Sequence, residues 1–393
     1  MPLELDPRET LPADGFAGTL VGRVWRPDVS GPSVVALRAD GVYDITAAFP
    51  TMADLCEEHA PAAAARDARG ERIGDFAAIL ANTPEHRRAP DAPWFLAPTD
   101  LQALKAAGVT FAVSLLERVI EEQARGAPER AAAVRADVEA AIGGAVANLK
   151  PGSPEAMELK KLLQDKGLWS QYLEVGIGPD AEIFTKAQPM AAVGTGAGIG
   201  ILAASSWNNP EPEIVLIVNA RGAIVGATLG NDVNLRDLEG RSALLLSKAK
   251  DNNASASIGP FIRLFDDGFS LDDVRRAHVT LVVEGTDDGF RLDGSSAMAK
   301  ISRDPAQLVA EMLGPHHQYP DGAALYLGTM FAPIKDRDAP GQGFTHHIGD
   351  IVTIASEKLG ALVNEVTLAD RAPRWTFGVG ALMRNLARRG LVQ

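Results

Sequence analysis

Three runs of apolar, mostly β-branched residues limit what this chain can fold into: 214–218 (Ile-Val-Leu-Ile-Val), 279–283 (Val-Thr-Leu-Val-Val) and 351–354 (Ile-Val-Thr-Ile). Each is too short for a core helix, is bounded by Gly, Asn or Asp, and carries side chains that suit a pleated surface. From Gly178 onward the texture is β, interrupted by helical patterns at 304–313 and 378–389. No repeat of 20–50 residues is visible, so a solenoid or propeller is not expected. Residues 179–393 therefore read as one β-rich α+β domain.

The first part differs. Residues 22–26 and 33–37 are strand-like, broken by Pro27, Gly31 and Pro32, and 52–64 is a helix candidate. This predicts a small β-rich N-terminal domain over 1–95. Residues 96–178 look helical. Thr99 or Asp100 is placed to cap 101–107, and Leu115, Leu116, Val119 and Ile120 recur at helical spacing. An Ala-rich stretch at 128–147, a Pro-Gly-Ser-Pro break at 151–154 and a helix over 155–166 follow. The segment is expected to be a helical insertion forming a lid on the active site.

Composition narrows the function. Lys and Arg total 38 against 51 Asp and Glu, a formal charge of −13, which repels nucleic acid and anionic membrane. An acidic ligand then needs a local cation. The single cysteine, Cys56, excludes an intrachain disulfide and a cysteine-ligated metal site. No secretory pattern opens the sequence and no apolar run approaches the ~20 residues of a membrane helix, so a cytoplasmic protein is expected.

The chemistry concentrates between residues 208 and 260. Glu211 and Glu213 flank Pro212 at the start of the 214–218 run, and residues two apart on a strand face the same side. Asp232 follows in Asn231-Asp232-Val233-Asn234-Leu235-Arg236-Asp237. Three carboxylates and no thiolate describe a hard oxygen site, suited to Mg²⁺ or Mn²⁺ rather than zinc. The bland alternative is a solvated acidic edge with Asp232 in an Asx turn.

The segments PEPEIVLIVNARGAIVGATLGNDVNLRD, SKAKDNNASASIGPFI and YLGTMFAP…GDIVTIASEKLGALVNEV resemble, in order and spacing, the fumarylacetoacetate hydrolase family. The resemblance covers about residues 180–370. It implies a mixed β-sheet roll, or pseudo-barrel, around a site in which Glu211, Glu213 and Asp232 bind Mg²⁺ (Mn²⁺ or Ca²⁺ being alternatives). It also implies that Lys250, nine residues before Gly259-Pro260, reaches the site and that Gly328-Thr329 binds a substrate carboxylate. Lys186, in Phe-Thr-Lys-Ala-Gln-Pro, resembles the family's site-lining lysine. A small 2-keto acid is the implied partner, and the resemblance with the C-terminal helix suggests a homodimer or homotetramer.

Within the family, carbon–carbon hydrolases activate water with a histidine. Here the matching position in 109–118 holds Glu117, and no histidine occurs between His86 and His278. A glutamate there is similar to the branch of 2-keto-3-deoxy-D-xylonate or arabinonate dehydratases. These remove water from C3–C4, giving an enol that tautomerises to 2,5-dioxopentanoate. Glu117 is then the expected acid–base group, with Lys250 countering oxyanion charge. An acylpyruvate (2,4-diketo acid) hydrolase and an inactive metabolite-binding subunit stay as alternatives. The glycine run 194–200 fails the G-x-G-x-x-G spacing and reads as a loop. His316-His317, His346-His347 and Arg303 read as surface, rim or capping residues.

Overall fold

The structure, a computed structural model, describes residues 3–392 apart from 139, 141–148, 166 and 168. Its centre is the strand Pro212–Val218, buried at every position. Alternate residues serve two cores: Ile214, Leu216 and Val218 face one apolar cluster, Val215 and Ile217 the other. This is why the run is continuously apolar rather than alternating. It pairs antiparallel with Ile224–Asp232 on one side and Ala323–Tyr326 on the other.

These strands belong to an eleven-stranded mixed sheet. Its edge strands Glu71–Gly74 and Glu182–Ala187 do not pair with each other among the described residues, so the sheet forms no closed barrel. A five-stranded sheet, including His278–Glu284, Ile351–Ser356 and Gly360–Leu368, packs against one face. Val279, Leu281 and Val283 alternate inward from it onto Ile214 and Leu216. The result is an α+β, sheet-rich architecture.

The strands of 1–95 extend the same large sheet, where Leu20–Arg26 pairs with Ala256–Leu264 through Leu20↔Arg263 and Val21↔Ile262. Pro32 lies inside the strand Gly31–Arg38 rather than breaking it. The helix expected over 52–64 is two helices, Met52–Glu57 and Pro61–Asp67, divided at Pro61, which lacks the N–H to continue the first.

The helix expected at 101–107 is instead the strand Ala103–Gly108, parallel to Ala323–Tyr326. Ala-Leu-Lys-Ala-Ala favours helix locally, but a slot in the sheet between two strands overrides propensity. Asp100 caps a different helix, accepting from the N–H groups of Met52 and Ala53. The helical signal does hold in Ala112–Ala124, Pro128–Val138, Pro154–Asp165 and Gln171–Ile177. Part of the Ala-rich stretch, 139 and 141–147, and residue 166 lie outside the described residues. No described helix is long and apolar enough to cross a membrane.

Candidate metal and active site

The strand pair Pro212–Val218 and Ile224–Asp232 builds the site. Antiparallel register sets Glu213 opposite Gly230, and the Asp232 N–H donates to the Glu211 carbonyl at 3.1 Å. Gly230 makes room: a Cβ there would lie 2.4 Å from the Tyr326 ring. Carboxylate oxygens of Glu211, Glu213 and Asp232 thus lie within 4.8 Å of one another, on side chains that are all buried.

Three buried carboxylates at that separation need positive charge. Lys250 supplies one, its Nζ donating to Glu211 Oε2 at 2.5 Å and Asp232 Oδ2 at 3.1 Å. Lys186, fully buried, sets its Nζ 2.8 Å from Asp232 Oδ1 and donates to the Val233 carbonyl. Arg118 from helix Ala112–Ala124 bonds Glu211 Oε1. Burial opposes ionisation of Glu211, but Arg118 and Lys250 outweigh it and hold the carboxyl low. Glu213 fares the other way: burial, then Asp232 and Glu211, push it well above the carboxylate range. A cation among the three relieves that repulsion. The all-carboxylate donor set fits a hard divalent ion such as Mg²⁺.

The Gly328 N–H donates to Glu213 Oε2 and the Thr329 hydroxyl to Glu213 Oε1, so this pair grips a metal-site carboxylate. Thr329 also faces the cavity beside the cluster. That cavity is about 20 Å³, room for one water, and is walled by five carboxyls, those of Glu182, Glu211, Glu213, Asp232 and Glu239, with Arg118, Lys250 and Ser114. A groove near Arg8, Phe269 and Lys358 is larger, about 600 Å³, but holds none of these groups. The cluster Asp287, Asp288 and His347 is largely exposed and already ion-paired with Arg337.

Glu117 does not line the cavity. Its carboxylate accepts from Arg236 Nη2 at 3.0 Å and from both Arg135 Nη atoms. Burial pushes it up, but the two arginines outweigh that and hold it below the usual range. Lys186 and Gly328 also sit behind the cavity wall, supporting Asp232 and Glu213. Arg303 staples the end of helix Gln171–Ile177 by donating to the carbonyls of Val175, Gly178, Pro179 and Asp180. His346 is buried against Asp350 at 3.1 Å, and no histidine lines the cavity.

Two carboxyls that sequence reasoning missed complete the wall. Glu182, on Glu182–Ala187, makes no side-chain hydrogen bond or ion pair among the described residues. Burial and then the neighbouring Glu239 push it up to about 7. Its partner across the strands is Gly108, where a Cβ would sit 1.9 Å from Glu182 Oε2. Only its place four residues before Lys186 on one strand hinted at it.

Comparison with known proteins places this geometry. Residues 178–367 match the family described as Fumarylacetoacetate (FAA) hydrolase C-terminal. A probable 2-keto-3-deoxyxylonate dehydratase of Haloferax volcanii is 31% identical over 204 residues, 52% of this chain and 66% of that protein. A 2-dehydro-3-deoxy-D-arabinonate dehydratase of Saccharolobus solfataricus is 31% identical over 188 residues, 47% of this chain and 58% of that one. The matches thus span less than two thirds of these relatives' length. A solved 2-keto-3-deoxy-D-arabinonate dehydratase complexed with magnesium and 2,5-dioxopentanoate shares the fold, with a TM-score of 0.55 at 20% identity over 89% of this chain and 99% of that chain.

Proposed function

From the match of residues 178–367 to the FAA hydrolase C-terminal family, we propose that this chain is a Mg²⁺-dependent hydro-lyase acting on a 2-keto-3-deoxy sugar acid. The substrate is a pentonate and the product 2,5-dioxopentanoate. The observation that carries this reading is the cavity itself, in which three carboxylates converge for a hard cation while Glu182 stands uncommitted beside them. The relatives named as dehydratases, and the neighbour complexed with magnesium and 2,5-dioxopentanoate, support it.

Glu211, Glu213 and Asp232 would hold the ion, which when bound supplies a Lewis acid for the keto and carboxylate oxygens. Lys250 stabilises the negative charge that develops on the keto oxygen. Glu182, poised near neutral pH, takes the C3 proton. Thr329 and the Gly328 N–H fix Glu213 and with it the ligand geometry. Ser114 and Arg118, both on helix Ala112–Ala124, complete the cavity wall. Among the described residues no histidine lines the cavity to take the water-activating place that the hydrolase alternative gives to one.

The test is a product assay on 2-keto-3-deoxy-D-xylonate and its L-arabinonate counterpart with Mg²⁺. The expected result is 2,5-dioxopentanoate, lost with EDTA and in Glu211→Ala. Pyruvate released from a 2,4-diketo acid would point to the hydrolase, and silence on both substrate classes to a binding subunit.

A further inference from the structure

Removing water across C3–C4 moves two protons: one leaves C3 and one must reach the departing C4 oxygen. Of the five carboxyls on the cavity wall, three belong to the metal cluster and Glu182 takes the first proton. Only Glu239 is left. It ends the helix Arg236–Glu239, is 5% exposed, and lines the same cavity. Among the described residues its Oε2 has no hydrogen-bond partner, and its single ion pair is with Arg118 Nη1 at 3.3 Å.

We infer that Glu239 is the second proton carrier of this site, giving its proton to the oxygen that leaves C4. The inference rests on the dehydratase reading. The C3–H bond breaks, its proton passes to the Glu182 carboxylate, and its electron pair becomes the C2–C3 double bond of an enolate. That pair then forms the C3–C4 double bond as the C4–O bond breaks. The oxygen departs with the bonding pair and the Glu239 proton, as water. Returning a proton to C3 from Glu182 and taking one from C5 with the Glu239 carboxylate gives the C4–C5 enol of the aldehyde. Both groups are restored and nothing is oxidised or reduced overall.

The surroundings suit a donor. Burial raises the Glu239 carboxyl, more than Arg118 and Lys250 lower it. Arg236, three residues earlier on the same turn, is held by Glu117 at 3.0 Å and Glu121 at 2.7 Å. Glu117 is thereby a positioning residue for Glu239. Arg118 spans Glu121, Glu211 and Glu239, tying the donor to the metal cluster.

The two proton steps separate on 2-oxobutyrate, a 2-keto acid with C3 protons and no C4 hydroxyl. Proton NMR in D₂O with the Mg²⁺-loaded enzyme follows C3 exchange, and the pentonate assay follows dehydration. Glu239→Gln is expected to lose dehydration by at least about 100-fold while exchange falls less than about threefold. Glu182→Gln is expected to lose both. Glu239→Asp, which keeps a carboxyl facing Arg118, should restore part of the dehydration. Dehydration retained in Glu239→Gln, or exchange and dehydration lost together with Mg²⁺ affinity intact, overturns the assignment. No exchange by the unaltered enzyme overturns the dehydratase reading itself, and this inference with it.

Discussion

The backbone N–H of Gly328 donates to Oε2 of Glu213 at 2.7 Å, so a turn on one strand's end fixes a carboxylate on its neighbour. The turn requires glycine: φ is +97°, and a Cβ would lie 2.1 Å from Thr110 Oγ1 and 3.0 Å from the Ala107 carbonyl. Gly328→Ala is therefore expected to push the turn away from Glu213. The predicted cost is about 1–3 kcal/mol of stability, with Mg²⁺ affinity by calorimetric titration weakened about tenfold or more. Unchanged affinity would mean that Glu213 does not depend on this donor.

Glu117 was expected from the sequence to move the proton, and its surroundings suit a different task. With Arg236 and Arg135 both on its oxygens, it is a held counter-ion. Glu117→Ala leaves the fully buried Arg236 guanidinium with Glu121 as its one remaining carboxylate among the described residues, and the loss costs up to about 3 kcal/mol. A lower melting temperature is predicted, with C3 exchange on 2-oxobutyrate retained in the folded fraction. Exchange abolished at unchanged melting temperature would return proton abstraction to Glu117.

The contrast shows what was readable in the chain. Glu211 and Glu213 were legible as a same-side pair from strand periodicity, and Asp232 and Lys250 through the resemblance to the fumarylacetoacetate hydrolase family. Glu182 and Glu239 were not. Each is one ordinary glutamate in its segment, and what marks it is its place on the cavity wall, which depends on elements distant in sequence. The strand Ala103–Gly108 was hidden for a related reason. Its residues favour helix locally, and only the neighbours Ala323–Tyr326 and Glu182–Ala187 make it a strand.

Glu182 also predicts how the metal-free protein responds to pH. Its carboxyl ionises near 4.5 in the absence of the fold and near 7 within it, first through burial and then through Glu239. Between those values the folded state binds more protons than the unfolded state, so stability falls as pH rises. The contribution is fully present below about pH 4.5 and lost by about pH 7, and amounts to at most about 3 kcal/mol. Denaturant unfolding in EDTA at pH 5 and pH 8 should show a larger loss for the unaltered protein than for Glu182→Gln. Equal losses in the two proteins would place the Glu182 carboxyl in solvent.

Gly108 offers the sharpest test of where that carboxyl must be. It pairs with Glu182 across the strands, and its missing side chain is the space the carboxyl occupies. An added Cβ would fall 1.9 Å from Oε2 and 2.6 Å from Cδ. Those atoms are the far end of a flexible side chain, so the strands need not part and the carboxyl swings aside instead. Gly108→Ala is expected to keep its stability within about 1 kcal/mol and to bind Mg²⁺ normally. C3 exchange on 2-oxobutyrate and dehydration should both fall at least about tenfold, because a proton acceptor displaced by an ångström loses its line to C3. Unimpaired exchange in a folded, metal-binding Gly108→Ala protein would show that C3 gives its proton to another group.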